Sequence, residues 1–311
     1  MLLLAGASVN GQTITETFGS GANAFSIDFV EIGNPGNAAD TTGRPNPAGS
    51  VGYVYNIGKY EVSRDMIEKA NSAGGLGIAL FDMEGWGYAA GSNGSNRPAT
   101  GINWFAAAKF VNYLNTSQGK QAAYNFDVSG NFQPWGAGQY VGSNQFRHKD
   151  AYFFLPTIDE WYKAAYGSPG GVWYNFPNGS DSAPTPVSGG TSAGTAVYGG
   201  QSSFADITNA GGVSPFGTMA QGGNVWEWNE TAFDGINDMG DENRENRGGS
   251  FLDAAENIGL GSSPTLYMGV EPGYIDLHIG FRVASVPEPS SLSLLLAGGA
   301  VFAAAKRRRL V

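Results

Sequence analysis

The chain has no cysteine and only two histidines, His148 and His278, in 311 residues. The first absence removes disulfides, thiolate nucleophiles and sulfur-ligated metals. The second argues against a histidine-rich zinc or iron centre. Charge is also scarce, at 14% of residues, against about 25% in ordinary soluble domains. Basic residues are the rarer sign, 17 against 27 acids, and four of the 17 form the single run Lys306-Arg307-Arg308-Arg309. With the residues from Pro287 onward set aside, 13 basic and 26 acidic residues remain. A body with that balance repels polyanions, so nucleic acid is not expected as a partner.

Glycine is abundant, with 48 residues, and aromatics make up 13%. That much glycine, roughly twice the usual share, disfavours long helices, while the aromatics supply enough apolar surface to exclude disorder. A chain of this length can bury about three quarters of its unfolded surface. These features predict an α+β fold, loop-rich, with short strands and about three helices. Phe25 to Ile32 largely alternates and predicts a strand, and Val51 to Tyr60 predicts a second. Asn34 to Ser50 is rich in Gly, Pro and Asn and reads as a loop. Ser63 is placed to cap a helix through about Asn71, with Met66, Ile67 and Ala70 inward. Asn103 starts another to about Leu114, whose Ala107, Phe110, Val111 and Leu114 share one face. Thr157 and Glu160 have capping-box spacing ahead of Trp161, Ala164 and Ala165. Gly167 to Phe216 reads as irregular chain or short strands forming much of the surface. No fixed-period repeat is present.

Five segments then follow in order: Tyr55-Asn56-Ile57-Gly58-Lys59-Tyr60-Glu61-Val62-Ser63, Leu155-Pro156-Thr157-Ile158-Asp159-Glu160-Trp161, Gly223-Asn224-Val225-Trp226-Glu227-Trp228, Arg247-Gly248-Gly249-Ser250-Phe251 and Gly280-Phe281-Arg282-Val283. Together they resemble the sulfatase-modifying-factor, or formylglycine-generating-enzyme, domain over roughly residues 25–284. The resemblance implies a compact variant of the C-type lectin fold. It also implies copper-dependent oxidation of a sulfatase cysteine, with copper on two cysteines after the Gly-Gly-Ser motif. Here that region begins Leu252-Asp253-Ala254-Ala255-Glu256-Asn257-Ile258, and no other residue type supplies a thiolate. No copper and no formylglycine-generating activity are therefore expected. Iron-dependent relatives use several histidines, and this chain has two.

The resemblance leaves calcium as the inherited cofactor. It would sit beside the Asn-x-Trp-Glu-Trp segment, on the carbonyls of Gly223 and Val225 and the carboxylate of Glu227, whose hard oxygens suit calcium. The upstream position falls at Ala220, which has no side-chain ligand. The competing reading is that Asn224 and Glu227 satisfy backbone groups beneath two packed tryptophans. Asp234, Asp238, Asp241 and Glu242 form an acidic loop without EF-hand spacing. Asn175, Asn178 and Asp181 suit Asx turns as well as a cation. Trp86, Trp135 and Trp173 lie in Gly-rich segments, where an exposed ring can bind sugar and a buried one plugs a core. His278, just before Gly280-Phe281-Arg282, reads as a packing or hydrogen-bonding residue.

The two ends read as addresses. Residues 1–7 have the small-x-small pattern of a signal-peptide end whose start lies upstream. The C-terminus carries Pro287-Glu288-Pro289, then the apolar stretch Leu292 to Ala305, then the basic run Lys306 to Arg309. As a helix the stretch spans about 21 Å, short of a ~30 Å bilayer core unless the flanking cations snorkel. The cations favour the cytoplasmic side and place the body across the membrane. Residues 286–311 resemble the PEP-CTERM sorting signal of exported bacterial proteins. That implies an exosortase-type partner, transient inner-membrane tethering through the C-terminal helix, and release to the envelope or an extracellular polymer. The expected function is a non-catalytic binding or structural module with extracellular polysaccharide as a candidate partner. The alternatives are an enzyme with a non-cysteine site on the same scaffold and a calcium-dependent lectin-like glycan binder.

Overall fold

Two alternating runs open the structure, a computed structural model that describes residues 13–261 and 269–287. β1 (Thr13–Phe18) and β2 (Phe25–Ile32) pair antiparallel. The turn between them needs Gly19: its φ is +70°, and a Cβ there would lie 2.3 Å from the Asn23 carbonyl oxygen. β2 keeps the bounds its alternation predicts, whereas only Tyr55–Gly58 of the second predicted strand forms β3. Then come α1 (Arg64–Gly74), α2 (Trp104–Ser117), β4 (Asn125–Phe126), β5 (Phe132–Gln133), β6 (Phe153–Phe154) and α3 (Ile158–Tyr166). β7 (Thr185–Pro186) and β8 (Thr195–Ala196) form a two-residue ladder. β9 (Trp226–Ala232), β10 (Arg244–Arg247), the one-turn α4 (Ala255–Ile258), β11 (Ile279–Phe281) and β12 (Ala284–Ser285) follow.

The larger sheet has the order β1-β2-β3-β12-β6, and a three-stranded sheet has β9 between β10 and β11. β2 shows why helices cover the larger sheet on both sides. Phe25, Ile27 and Phe29 pack with α1 and α2 residues such as Ile67, Phe110 and Leu114, while Val30 and Ile32 pack with Ala164 of α3. Each predicted helix start is capped as expected. Ser63 Oγ accepts from the Met66 amide at 3.3 Å, and Asn103 Oδ1 accepts from the Ala106 amide at 2.9 Å. Thr157 and Glu160 cap reciprocally: the Glu160 amide donates to Thr157 Oγ1, and Glu160 Oε2 accepts from the Thr157 amide at 2.7 Å. α1 and α2 run three residues past their predicted ends, α1 stopping at the left-handed Gly75.

Ahead of Phe25, β1 pairs with β2 at the edge of the larger sheet, and its Phe18 joins the main core. The segment 167–216 is irregular with short strands and largely exposed or half-buried, as expected, but part of it turns inward. Val197, Phe204, Ala205 and Ala210 are buried with Met83, Val225 and Phe251 in a core of their own. The isolated apolar residues of that segment are drawn in by contacts distant in sequence. Among the described residues no helix is long and apolar enough to cross a membrane. The expected signal-peptide end at 1–7, the apolar stretch Leu292–Ala305, and Glu288, Pro289 and Lys306–Arg309 lie outside the described residues.

Candidate functional site

The strand β9 sends Trp226 and Trp228 into the main core and turns Glu227 the other way. The turn that feeds it is tightly built. Gly223 has φ +98°, and a Cβ there would lie 2.3 Å from the Val197 carbonyl oxygen. Asn224, also left-handed at φ 61°, receives the Ala205 amide on Oδ1 and donates from Nδ2 to Glu61 Oε2 at 2.6 Å.

Glu227 is fully buried and fully engaged. Arg282, from the Gly-Phe-Arg segment after β11, donates from Nη2 to Glu227 Oε1 at 2.5 Å and from Nε to Oε2 at 2.6 Å. Trp161 Nε1 donates to the same Oε2 at 2.6 Å. The guanidinium continues to the carbonyls of Gly58 and Met219, each at 2.9 Å. Beside this pair lies buried Glu61, whose Oε1 has no hydrogen-bond partner. Burial, then the charge of Glu227, pushes the Glu61 carboxyl well above the usual range, and Arg282 works in the opposite direction.

These contacts bear on the calcium expectation for Gly223, Val225 and Glu227. The cation facing the Glu227 carboxylate is Arg282, and a divalent ion at those oxygens would be driven against a guanidinium. Ala220 offers no side-chain ligand to compensate. The donor set does not fit calcium at Glu227; it fits an internal ion pair that ties β9 to the β3 end.

The other acidic candidates do not gather either. Among the described residues no group of three or more His, Asp or Glu stands close enough to hold a metal ion. Asp234 and Glu242 accept from their own loop's backbone amides. Asp181 closes a turn on the Asn175 amide at 3.1 Å. Of the three tryptophans, Trp86 is 67% exposed, Trp135 is half-buried with Nε1 on the Ala123 carbonyl, and Trp173 packs against Tyr162.

The segment after Gly-Gly-Ser forms a knot centred on Asp253. Its Oδ2 accepts from the Ser250 amide at 2.8 Å, from Ser250 Oγ at 2.6 Å and from Trp226 Nε1 at 3.0 Å. Its Oδ1 accepts from Asn257 Nδ2 at 2.9 Å. This carboxylate therefore fixes the loop where the resemblance would place copper-binding cysteines.

Beside it stands a constellation that the sequence alone does not suggest. His278 Nδ1 lies 3.1 Å from Asp276 Oδ1, and His278 Nε2 lies 2.5 Å from the Tyr88 hydroxyl. Tyr88 and His278 both stack edgewise on Phe251. Burial works against the Asp276 charge, yet hydrogen bonds from the His278 side chain and amide hold its carboxyl below the usual range. Burial, then the charge of Asp276, raises the Tyr88 phenol. The carboxylate orients the imidazole, and the imidazole can exchange a proton with the phenol. The expectation of a hydrogen-bonding His278 is what the geometry shows. Its partner Tyr88 lies 190 residues away, and no local motif signals it.

The sulfatase-modifying factor enzyme 1-like domain family matches residues 29–286. The PEP-CTERM protein-sorting motif matches residues 285–309. Among solved structures the chain is similar to Treponema denticola variable protein 1, with 21% identity, a TM-score of 0.61 and coverage of 88% of this chain and 99% of that one. It is similar to CarF, with 20% identity, a TM-score of 0.59 and coverage of 84% and 99%. It is also similar to PvdO from Pseudomonas aeruginosa, with 15% identity, a TM-score of 0.52 and coverage of 88% and 98%. At these identities the likeness is one of fold. No curated protein matched.

Proposed function

This chain belongs to the sulfatase-modifying factor enzyme 1-like domain family, and on that premise we propose that it is a non-catalytic, exported binding or structural module. The sorting motif at 285–309 implies exosortase-type processing and export to the envelope. The observation that carries the non-catalytic reading is the Asp253 knot. It occupies the loop where the family's copper chemistry needs two thiolates, in a chain without cysteine. A fold does not bring its family's chemistry when the site is absent. Tethering through the apolar stretch Leu292–Ala305 and a polysaccharide partner belong to this proposal, and exposed Trp86 is the ring best placed for sugar.

The test is to express the full chain in an exosortase-containing host and weigh the mature protein. A mass lacking the tail, carrying no stoichiometric copper or iron after dialysis, is expected. Pro287→Ala with Pro289→Ala should leave the tail attached. A full-length mass in the unmodified protein would sink the processing claim, and bound copper would sink the non-catalytic one.

The Asp276–His278–Tyr88 chain favours a second reading, an enzyme with a non-cysteine site. That reading expects a turnover lost in Tyr88→Phe while the unfolding free energy changes by less than about 1 kcal/mol. An unchanged turnover in that variant would eliminate it.

A further inference from the structure

A groove runs along α2. One cavity of about 720 Å³ is walled by Phe105, Phe132, Asn131, Asp241 and Ile275. A second of about 870 Å³ is walled by Ser20, Asn23, Tyr113 and Thr116. Leu76 and Lys109 line both, so the two meet there. On α2 the positions Phe105, Lys109, Tyr113 and Thr116 follow i, i+4, i+8 and i+11, a single stripe about 17 Å long. At one end the half-buried rings of Phe105 and Phe132 stand 5.7 Å apart. Near that end Phe81 packs on Gly101 of the first cavity and carries the exposed Trp86, ring to ring at 5.5 Å.

Polar groups along this groove are left open. Tyr113 is only 8% exposed. Its ring lies on Phe25 and against Gly74, where a Cβ would stand 2.6 Å from Cδ2, and its hydroxyl comes out beside Gly19 of the second cavity. Among the described residues nothing hydrogen-bonds that hydroxyl, and burial alone raises its phenol. A polar group so enclosed and unpartnered is the exception in a folded protein. Lys109 Nζ lies 5.4 Å from the Phe126 ring centroid and forms no ion pair among the described residues. Ser20 makes no cap bond, and the Asn23 carboxamide is uncommitted as well. Among the described residues Lys109 is the sole basic and Asp241 the sole acidic residue lining the groove.

Each feature narrows the occupant. Hydroxyls and carboxamides spaced between separate rings suit a hydroxyl-rich chain, whose edges take hydrogen bonds and whose apolar faces lie on the rings. One cation midway calls for one carboxylate at that point. Asp241 disfavours a second carboxylate in its half, and the acidic body repels a polymer charged at every unit. We propose that the α2 groove binds an extended polysaccharide in which uronate and uncharged sugars alternate. This rests on the reading of polysaccharide as the partner, and adds its site and its charge pattern. The uronate pairs with Lys109, Tyr113 and Asn23 hydrogen-bond hydroxyls on one side of it, and Phe105 with Phe132 supports a sugar face on the other.

Affinity electrophoresis of the full-length protein in detergent tests this, with mobility in each polymer gel scaled to that in a polymer-free gel. The polymers are hyaluronan, where uronate alternates with a neutral sugar, dextran, which is uncharged, and alginate, which is uronate throughout. Retention should be strongest in hyaluronan. Tyr113→Phe and Lys109→Gln should each weaken it about fivefold, the scale of one hydrogen bond or one exposed ion pair. Tyr113→Phe should leave the urea midpoint in place, since its hydroxyl has no protein partner, so a lost fold would not explain lost retention. Salt at 1 M shrinks the Debye length to about 3 Å and should weaken hyaluronan retention of the unmodified protein but not of Lys109→Gln. Retention that ignores both variants, or that is lost only in Trp86→Ala, would overturn the groove and leave the polysaccharide reading standing. Equal retention in dextran and hyaluronan would overturn the charge pattern. No retention in any of the three polymers would overturn the polysaccharide reading together with the groove.

Discussion

Arg282→Met should leave a protein less stable by about 3–5 kcal/mol, close to the whole stability of an ordinary domain. Arg282 is fully buried and serves two oxygens of Glu227 and the carbonyls of Gly58 and Met219. Methionine matches its length without its charge. The variant keeps Glu227 as an uncompensated buried carboxylate, with Glu61 close by and already raised by burial and by the Glu227 charge. Removing both partners is expected to be milder than removing one. Arg282→Met with Glu227→Met should recover at least half of the loss, because the unpaired charge is gone and only neutral carbonyls and the Trp161 N–H lack partners.

The pH dependence gives a second signature. Arg282 is the main group lowering the Glu61 carboxyl, so its loss raises that carboxyl further. A group whose folded value lies above its unfolded value favours the fold at low pH and loses that contribution as pH rises above about 4.3. The deficit of Arg282→Met should therefore be smaller near pH 4.5 than near pH 7.5. Urea unfolding at the two pH values measures it. An equal deficit at both would mean that lost packing, not charge, explains the variant.

The contrast between what could and could not be read in the sequence follows the range of the interactions. β2 was legible because its alternation repeats over eight residues, and the three helix starts were legible because a cap spans only three or four positions. β1 was less so: its Thr13-Ile14-Thr15-Glu16-Thr17 has one apolar residue before Phe18, and pairing with β2 supplies the rest. The site divides in the same way. The Gly-Asn-x-Trp-Glu-Trp turn announces itself locally through residues that need positive φ. The partner of Glu227 lies 55 residues on, and the Tyr88–His278 contact joins segments far apart, so neither has a local signature. A carboxylate on a strand does not reveal by itself that a guanidinium faces it.

Asn115 belongs to the illegible class, and its replacement carries the other large effect. The predicted helix stopped at Leu114, but α2 continues, and Asn115 is wholly buried within it. β6 is an edge strand of the larger sheet, with β12 on its one paired side. Asn115 acts on its free side as a neighbouring strand would. Its Nδ2 donates to the Phe153 carbonyl at 2.8 Å, and its Oδ1 accepts from the Phe153 amide at 2.9 Å and the Tyr152 amide at 3.2 Å. One side chain thus satisfies an edge that is otherwise shut off from water. Asn115→Leu keeps the volume and abandons these groups, each costing about 1–3 kcal/mol when orphaned, so a total near 3–5 kcal/mol is expected. Asn115→Asp keeps the acceptor for the two amides but turns a carboxylate toward the Phe153 carbonyl. If the amides dominate, Asp should be the milder change near pH 7. If the carbonyl dominates, Asp should be as harmful as Leu at pH 7 and improve on acidification, when the protonated side chain regains a donor. Denaturant midpoints of the two variants at pH 4 and pH 7 separate these cases. A loss below about 1 kcal/mol for Asn115→Leu would show that water reaches this edge and that the side chain is not what closes it.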